Sequence, residues 1–128
     1  MSGARILVVE DNDFNLKLVR DVLSFAGFDV VEARSAEQGV VLAGTSAPDL
    51  VLMDLGLPGM DGTEALQRLR AAPETASLRV VAVTAYAMQE DRDRARDAGF
   101  DGFLTKPLDI RALPEQVRGY LAGEAVFG

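Results

Sequence analysis

Five side chains able to do chemistry directly follow apolar runs in this sequence. Glu10 and Asp11 end "RILVVED" (5–11), Asp54 ends "LVLMD" (50–54), Thr84 closes "LRVVAVT" (78–84), and Lys106 follows "FLT" (103–105). An isolated ionised carboxylate is costly to bury. An acid at the tip of the most apolar run, Leu50–Met53, either ends a strand and caps a turn or sits in a site that uses its charge. Three carboxylates brought within a few ångströms repel one another unless a cation is shared among them. Oxygen ligands without His or Cys suit Mg²⁺ or Mn²⁺. A lysine and a hydroxyl facing that cation are suited to holding an anion. Acids, divalent metal, lysine and hydroxyl together describe a phosphoryl-transfer site, with Asp54 placed to be its nucleophile.

For this chemistry to occur, the five residues must converge, and the elements around them supply the means. "FDVVEA" (28–33) and a short run in "FDGFLTKP" read as strands beside the three apolar runs, giving five strands. Between them lie helical patterns. Residues 13–27 carry Leu18, Val19, Val22, Leu23 and Ala26, with Gly27 as a stop. Ser35 caps a helix through about Ala43, with Ala36 and Val40 on the same side. Gly62 or Thr63 starts a helix with Ala65, Leu66 and Leu69. Residues 88–98 form a weak helix anchored only by Met88, Ala95 and Ala98, and "DIRALPEQVRGYLAG" closes the chain's last helix with Ile110, Leu113, Val117 and Leu121. Strands alternating with helices predict βα units and a parallel sheet. Strands this apolar predict a sheet covered on both faces. Five strands and about five helices predict an open doubly wound α/β sheet, in which ligands bind beyond the carboxyl ends of the strands. The five residues all lie at that edge.

Composition narrows the possible functions. The chain has 128 residues, long enough for one domain. Apolar residues make up 48 % and charged residues 26 %, ordinary globular proportions. Net charge is −7 and pI about 4.5, which argues against nucleic acid as a partner. There is no cysteine or histidine, so disulfides, thiolate or imidazole metal sites and a Ser-His-Asp triad are excluded. No leader-like segment opens the chain and no apolar run approaches about 18 residues. The expectation is a cytoplasmic protein with no membrane span. No linker or repeat divides the chain, so one domain over 1–128, with its core at about 4–122 and no output domain, is expected.

The segments "VVEDN", "DLVLMDLGLPGMDG", "VVAVTAYA" and "FLTKP" make the chain resemble the receiver domain of two-component response regulators. The match runs over about residues 4–122, and its motifs are jointly specific because each ends the strand it should. The resemblance implies a flavodoxin-like fold of strand order 2-1-3-4-5. It implies that Asp54 accepts a phosphoryl group from a phosphohistidine on a sensor histidine kinase or histidine phosphotransfer protein. In this family Asp11, Asp54 and the backbone carbonyl of Gly56 would ligate Mg²⁺ (or Mn²⁺), with Glu10 acting through water. Lys106, Thr84 and the N–H of Ala85 would hold the phosphoryl oxygens, and Lys106–Pro107 would be a cis peptide. Thr84 and Phe103 would form the switch, Phe103 turning inward behind a displaced Thr84 and changing binding of a downstream protein through the face made by the fourth helix, fifth strand and fifth helix. Such a domain is not a conventional enzyme, though self-phosphorylation and self-dephosphorylation are expected of it.

Plainer readings exist for each residue: Asp54 as a strand cap, Glu10 and Asp11 as solvated turn acids, Thr84 as an ordinary β-branched residue and Phe103 as core. Lys106 is less easily dismissed as a surface lysine, since the chain has only two lysines against 11 arginines, and a compact ammonium is not interchangeable with a guanidinium. The charged run "QEDRDRARD" reads as a solvated helix face with Glu90–Arg94 support. Two functional rivals stand beside the resemblance. A pseudo-receiver would bind partners without being phosphorylated. A small aspartyl-phosphate hydrolase of the haloacid-dehalogenase type needs a second acid two places after the nucleophile, where this chain has Gly56. A dinucleotide-binding domain is excluded, because "EDNDFN" after the first strand is acidic and lacks glycine.

Overall fold

The computed structural model describes residues 3–86 and 88–123. Ala87 and the expected tail 124–128 lie outside the described residues. Strands and helices alternate: β1 (Arg5–Val9), α1 (Asp13–Phe25), β2 (Asp29–Ala33), α2 (Ala36–Ser46), β3 (Leu50–Asp54), α3 (Gly62–Ala71), β4 (Arg79–Thr84), α4 (Gln89–Ala98), β5 (Gly102–Thr105) and α5 (Leu113–Leu121). The strands form one parallel sheet in the order β2-β1-β3-β4-β5, as expected.

The period-2 geometry of a strand sorts the apolar runs onto two faces. Leu7, Val9, Val51, Met53, Val80, Ala82 and Phe103 pack with Ala36 and Ala43 of α2, Leu66 and Leu69 of α3 and Ala95 of α4. Ile6, Val8, Leu50, Leu52, Val81, Val83 and Leu104 pack with Leu16, Val19 and Leu23 of α1 and Leu113, Val117 and Tyr120 of α5. Each fully buried side chain of this size contributes roughly 1.5–3 kcal/mol. Because every residue of β3 is buried, its sequence shows no polar alternation.

The helix ends follow local chemistry. Asn12 caps α1 by accepting the Asn15 N–H at 2.9 Å, and Gly27 follows the helix at φ +98°, a conformation that favours glycine. Ser35 caps α2 and Asp61 caps α3. Two ends differ from the sequence expectation. α2 continues past Ala43 to Ser46, with the Thr45 and Ser46 hydroxyls donating back to the Val41 and Leu42 carbonyls. α5 begins only at Leu113. Asp109 closes a turn before it by accepting the Arg111 and Ala112 amides at 3.0 and 3.3 Å, and Pro114, lacking an N–H, occupies the first helical turn. Ile110 therefore lies in that turn, 39 % exposed, and Tyr120 takes a core place on α5 instead.

α4 is the least anchored helix: Ala95 is its one buried residue, Ala98 is half-buried, and Met88 is exposed. Glu90, Arg94, Arg96 and Asp97 are exposed as expected, whereas Asp91, Arg92 and Asp93 are half-buried; Arg94 pairs with Asp91 at 3.8 Å rather than with Glu90, and Arg96 with Asp93 at 3.2 Å. The C-terminal end of α4 is tied down from α3. Arg70 donates to the Gly99 carbonyl at 3.3 Å and to Asp101 at 3.0 Å, and Asp101 in turn accepts the Val80 N–H at 2.8 Å.

Candidate functional site

The sheet ladder extends one residue past several strands, and this fixes the site. Glu10 N–H donates to the Ala33 carbonyl at 2.9 Å, Leu55 N–H to Val83 at 2.9 Å, and Lys106 N–H to Thr84 at 2.8 Å. Asp54 lies in register with Val83, and Thr84 with Thr105. The backbone at each tip is thereby held while the side chain projects beyond the sheet's carboxyl edge.

Glu10, Asp11 and Asp54 each place a carboxylate oxygen within 4.8 Å of the others. Glu10 and Asp54 are buried, 6 % and 5 % exposed, whereas Asp11 is open to solvent. The Lys106 ammonium joins them, bonded to Asp54 Oδ2 and lying 3.1 Å from Glu10 Oε1. The second oxygens are also engaged. Asp54 Oδ1 accepts the Gly56 N–H at 2.8 Å, and Glu10 Oε2 accepts the Asn12 N–H at 3.2 Å.

The charges of these groups reflect their surroundings. Burial, more than any other influence, pushes the Glu10 carboxyl above the usual range; the Asn12 amide and Lys106 oppose it, and the Asp54 charge adds to it. Burial pulls Lys106 down, but its bonds to Asp54 and Glu10 together outweigh that, and its net shift is upward. The ammonium therefore stays charged at neutral pH.

Thr84, 6 % exposed, ends β4 with its Oγ1 accepting the Tyr86 N–H at 3.1 Å. Ala85 is exposed and lines, with Lys106 and Glu10, a depression over α1. The Lys106–Pro107 peptide is cis. Thus the structure brings Glu10, Asp11, Asp54 and Lys106 into one cluster, with Gly56 donating to it and Thr84 on the neighbouring strand tip. Gly56 meets the cluster through its N–H; the expectation for it concerned its carbonyl.

Phe103 lies apart from the carboxylates, 6 % exposed, with the Arg92 guanidinium 5.7 Å from its ring centre. It shares with Thr84, Tyr86, Ala95 and Phe100 the lining of a cavity of about 170 Å³. In this structure the Phe103 ring is inside, the orientation in which its expected inward turn would end. Asn12 and Arg92 were not read from the sequence as parts of the site. Asn12 contributes a backbone amide, which residue type does not reveal, and Arg92 is concealed in a run of alternating charges.

The donor set fits a hard divalent cation: three carboxylate oxygens close together and no nitrogen or sulfur ligand among them. Comparison with known proteins agrees with the architecture. The family model described as the response regulator receiver domain matches residues 6–118. The polar-differentiation response regulator DivK of Brucella ovis is 36 % identical over 116 residues, which are 91 % of this chain and 94 % of that protein. A CheY-like receiver domain protein of Methanospirillum hungatei has a crystal structure that superposes with a TM-score of 0.83 at 32 % identity, covering 94 % of this chain and 95 % of that one. The receiver domain of a sensor histidine kinase from Pseudomonas aeruginosa, solved with a magnesium ion coordinated in its active-site cleft, gives a TM-score of 0.86 at 31 % identity over 95 % of this chain and 100 % of that one. On this fold, this edge of the sheet and these matches, the chain belongs to the response regulator receiver domain family of two-component signalling.

Proposed function

We propose that the chain is a response regulator receiver whose Asp54 accepts a phosphoryl group from a phosphohistidine of a sensor histidine kinase or histidine phosphotransfer protein. One Asp54 carboxylate oxygen bonds to phosphorus as the P–N bond to the donor histidine breaks, and the electron pair stays with the imidazole nitrogen. Lys106 holds a phosphoryl oxygen by charge, Thr84 by its hydroxyl and Ala85 by its N–H. Asp11, Asp54 and the Gly56 carbonyl would hold Mg²⁺, or Mn²⁺ in its place, with Glu10 acting through water. When bound, the metal would neutralise charge on the phosphoryl oxygens. Self-dephosphorylation reverses occupancy: water attacks the same phosphorus as its bond to the Asp54 oxygen breaks, which restores the carboxylate and releases inorganic phosphate.

The observation that carries this reading is the single ammonium set between two buried carboxylates at the edge where a third joins them. A lysine so placed holds the site's charge in balance before a phosphoryl group arrives and is at hand to bind it afterwards. The output is protein binding through the face of α4, β5 and α5. Thr84, Phe103 and the thinly anchored α4 are its moving parts, because segments that bury little belong to the low-stability end of a fold. Among the described residues no helix is long and apolar enough to cross a membrane, in keeping with a cytoplasmic site of action.

The test is amide NMR with beryllofluoride, a phosphoryl mimic. With Mg²⁺ present, resonances across residues 84–106 and α5 should shift, and those of α1 and α2 away from the metal should change less. Shifts confined to the neighbours of Asp54, or no Mg²⁺-dependent shift, would contradict the reading.

A further inference from the structure

We infer that Arg92 is a latch on Phe103: its guanidinium holds the ring in its buried place and so keeps the groove between α4 and α5 clear. The inference rests on the phosphoryl-accepting reading above, which counts Phe103 and α4 among the moving parts but names nothing that holds the ring.

Phe103 borders two open spaces. One is the cavity of about 170 Å³ that it shares with Thr84, Ala95 and Phe100. The other is a surface groove of about 550 Å³, which it lines together with Arg92, Leu108, Glu115 and Tyr120. Protein interiors are otherwise close-packed, so a ring beside two such spaces has room to turn. Phenylalanine has no hydroxyl with which to fix itself on either side.

Arg92 stands on the groove side, lining the groove and not the cavity. Its guanidinium carbon lies 5.7 Å from the ring centre, within the roughly 6 Å at which a cation is drawn to an aromatic face. Three residues on lies Ala95, the one buried residue of α4, so the two share a helix face. The other arginines of α4 are paired within the helix, Arg94 with Asp91, and Arg96 with Asp93 and Asp97. Among the described residues Arg92 has no carboxylate within ion-pair reach, and it is half-buried, so its charge is directed at the ring.

The contact couples the groove to the acceptor site. A ring turned outward would enter the groove that α4, β5 and α5 offer a partner, and would leave space behind Thr84. By holding the ring in, Arg92 favours the arrangement in which Thr84 reaches the phosphoryl group and the groove stands open. A residue that favours one of two states raises the affinity of any ligand that binds that state.

The first measurement uses metal-free protein with ¹³C-labelled phenylalanine rings. NOE cross-peaks of the Phe103 ring, assigned by their loss in Phe103→Leu, are compared between the Ala95 methyl on the buried side and the Leu108 methyls in the groove. In wild type the Ala95 peak should dominate. Arg92→Gln should raise the Leu108-to-Ala95 intensity ratio roughly two- to fivefold, the worth of one cation–π contact at a partly exposed site. Arg96→Gln, which removes an equal charge from the same helix, should leave the ratio unchanged. The second measurement titrates beryllofluoride at saturating Mg²⁺. Half-saturation should rise by the same factor in Arg92→Gln and stay at the wild-type value in Arg96→Gln. An unchanged ratio in folded Arg92→Gln, or the same change in Arg96→Gln, would overturn the inference. So would an unchanged beryllofluoride half-saturation beside an outward ring. If beryllofluoride binds none of the three proteins, the phosphoryl-accepting reading falls and the link to Asp54 with it, while the metal-free ring measurement still decides the Arg92 contact.

Discussion

Gly102 of β5 lies against the Tyr120 ring of α5 so closely that a Cβ at Gly102 would stand 2.3 Å from Tyr120 Cε1 and 2.7 Å from Cζ. Both residues are buried, and Tyr120 also shares a hydrogen bond with the backbone of Phe103. Glycine at the start of β5 therefore brings α5 down onto the strand that carries Phe103 and leads to Lys106. Gly102→Ala should force the ring aside and destabilise the fold by about 1–3 kcal/mol, the usual cost of overpacking. Urea unfolding at neutral pH checks this.

The same contact predicts an alkaline effect. Burial pushes the Tyr120 phenol above its ordinary value of 10.0, and the Phe103 backbone bond only partly opposes it. A group with a raised folded-state pKa contributes stability that is complete below the unfolded value and is lost as pH rises through the folded one. Stability should therefore hold up to about pH 10 and decline above it. Urea midpoints measured from pH 8.5 upward should show Tyr120→Phe with a shallower alkaline decline than wild type.

Asp11 allows the metal assignment to be separated from folding. It is exposed, among the described residues no hydrogen bond or ion pair involves its side chain, and it stands in a cluster of like charges. Asp11→Ala should leave the melting temperature unchanged or slightly raised in metal-free buffer, because a repulsion is relieved. It should abolish the Mg²⁺-induced stabilisation expected of wild type, and with it Mg²⁺-dependent labelling. Thermal melts with and without Mg²⁺ measure the first effect, and acetyl phosphate labelling the second.

The strands were legible because a sheet buried on both faces leaves its mark as apolar runs, and the cluster was legible because each run stops at a functional residue type. Glu10, Asp11, Asp54 and Lys106 needed only parallel pairing to meet. The start of α5 was not legible: Ile110 fits the helical period, and only the turn closed by Asp109 and the proline beyond it place Leu113 first. Nor was the contact of the Phe103 ring with Arg92 of α4. The charged run containing Arg92 reads the same whether that residue faces water or an aromatic ring. The 3.1 Å approach of Glu10 to Lys106 turns on side-chain rotamers, which sequence spacing does not record.

The account rests on Asp54 as the phosphoryl acceptor, and one measurement tests it most directly. Wild type and Asp54→Asn are incubated with acetyl phosphate and Mg²⁺, and the intact masses compared. Wild type should gain the mass of one phosphoryl group, lose it on standing, and not gain it when Mg²⁺ is chelated. Asp54→Asn should stay unmodified, its fold intact. An unlabelled wild type, or an Asp54→Asn protein labelled to the same extent, would contradict the account.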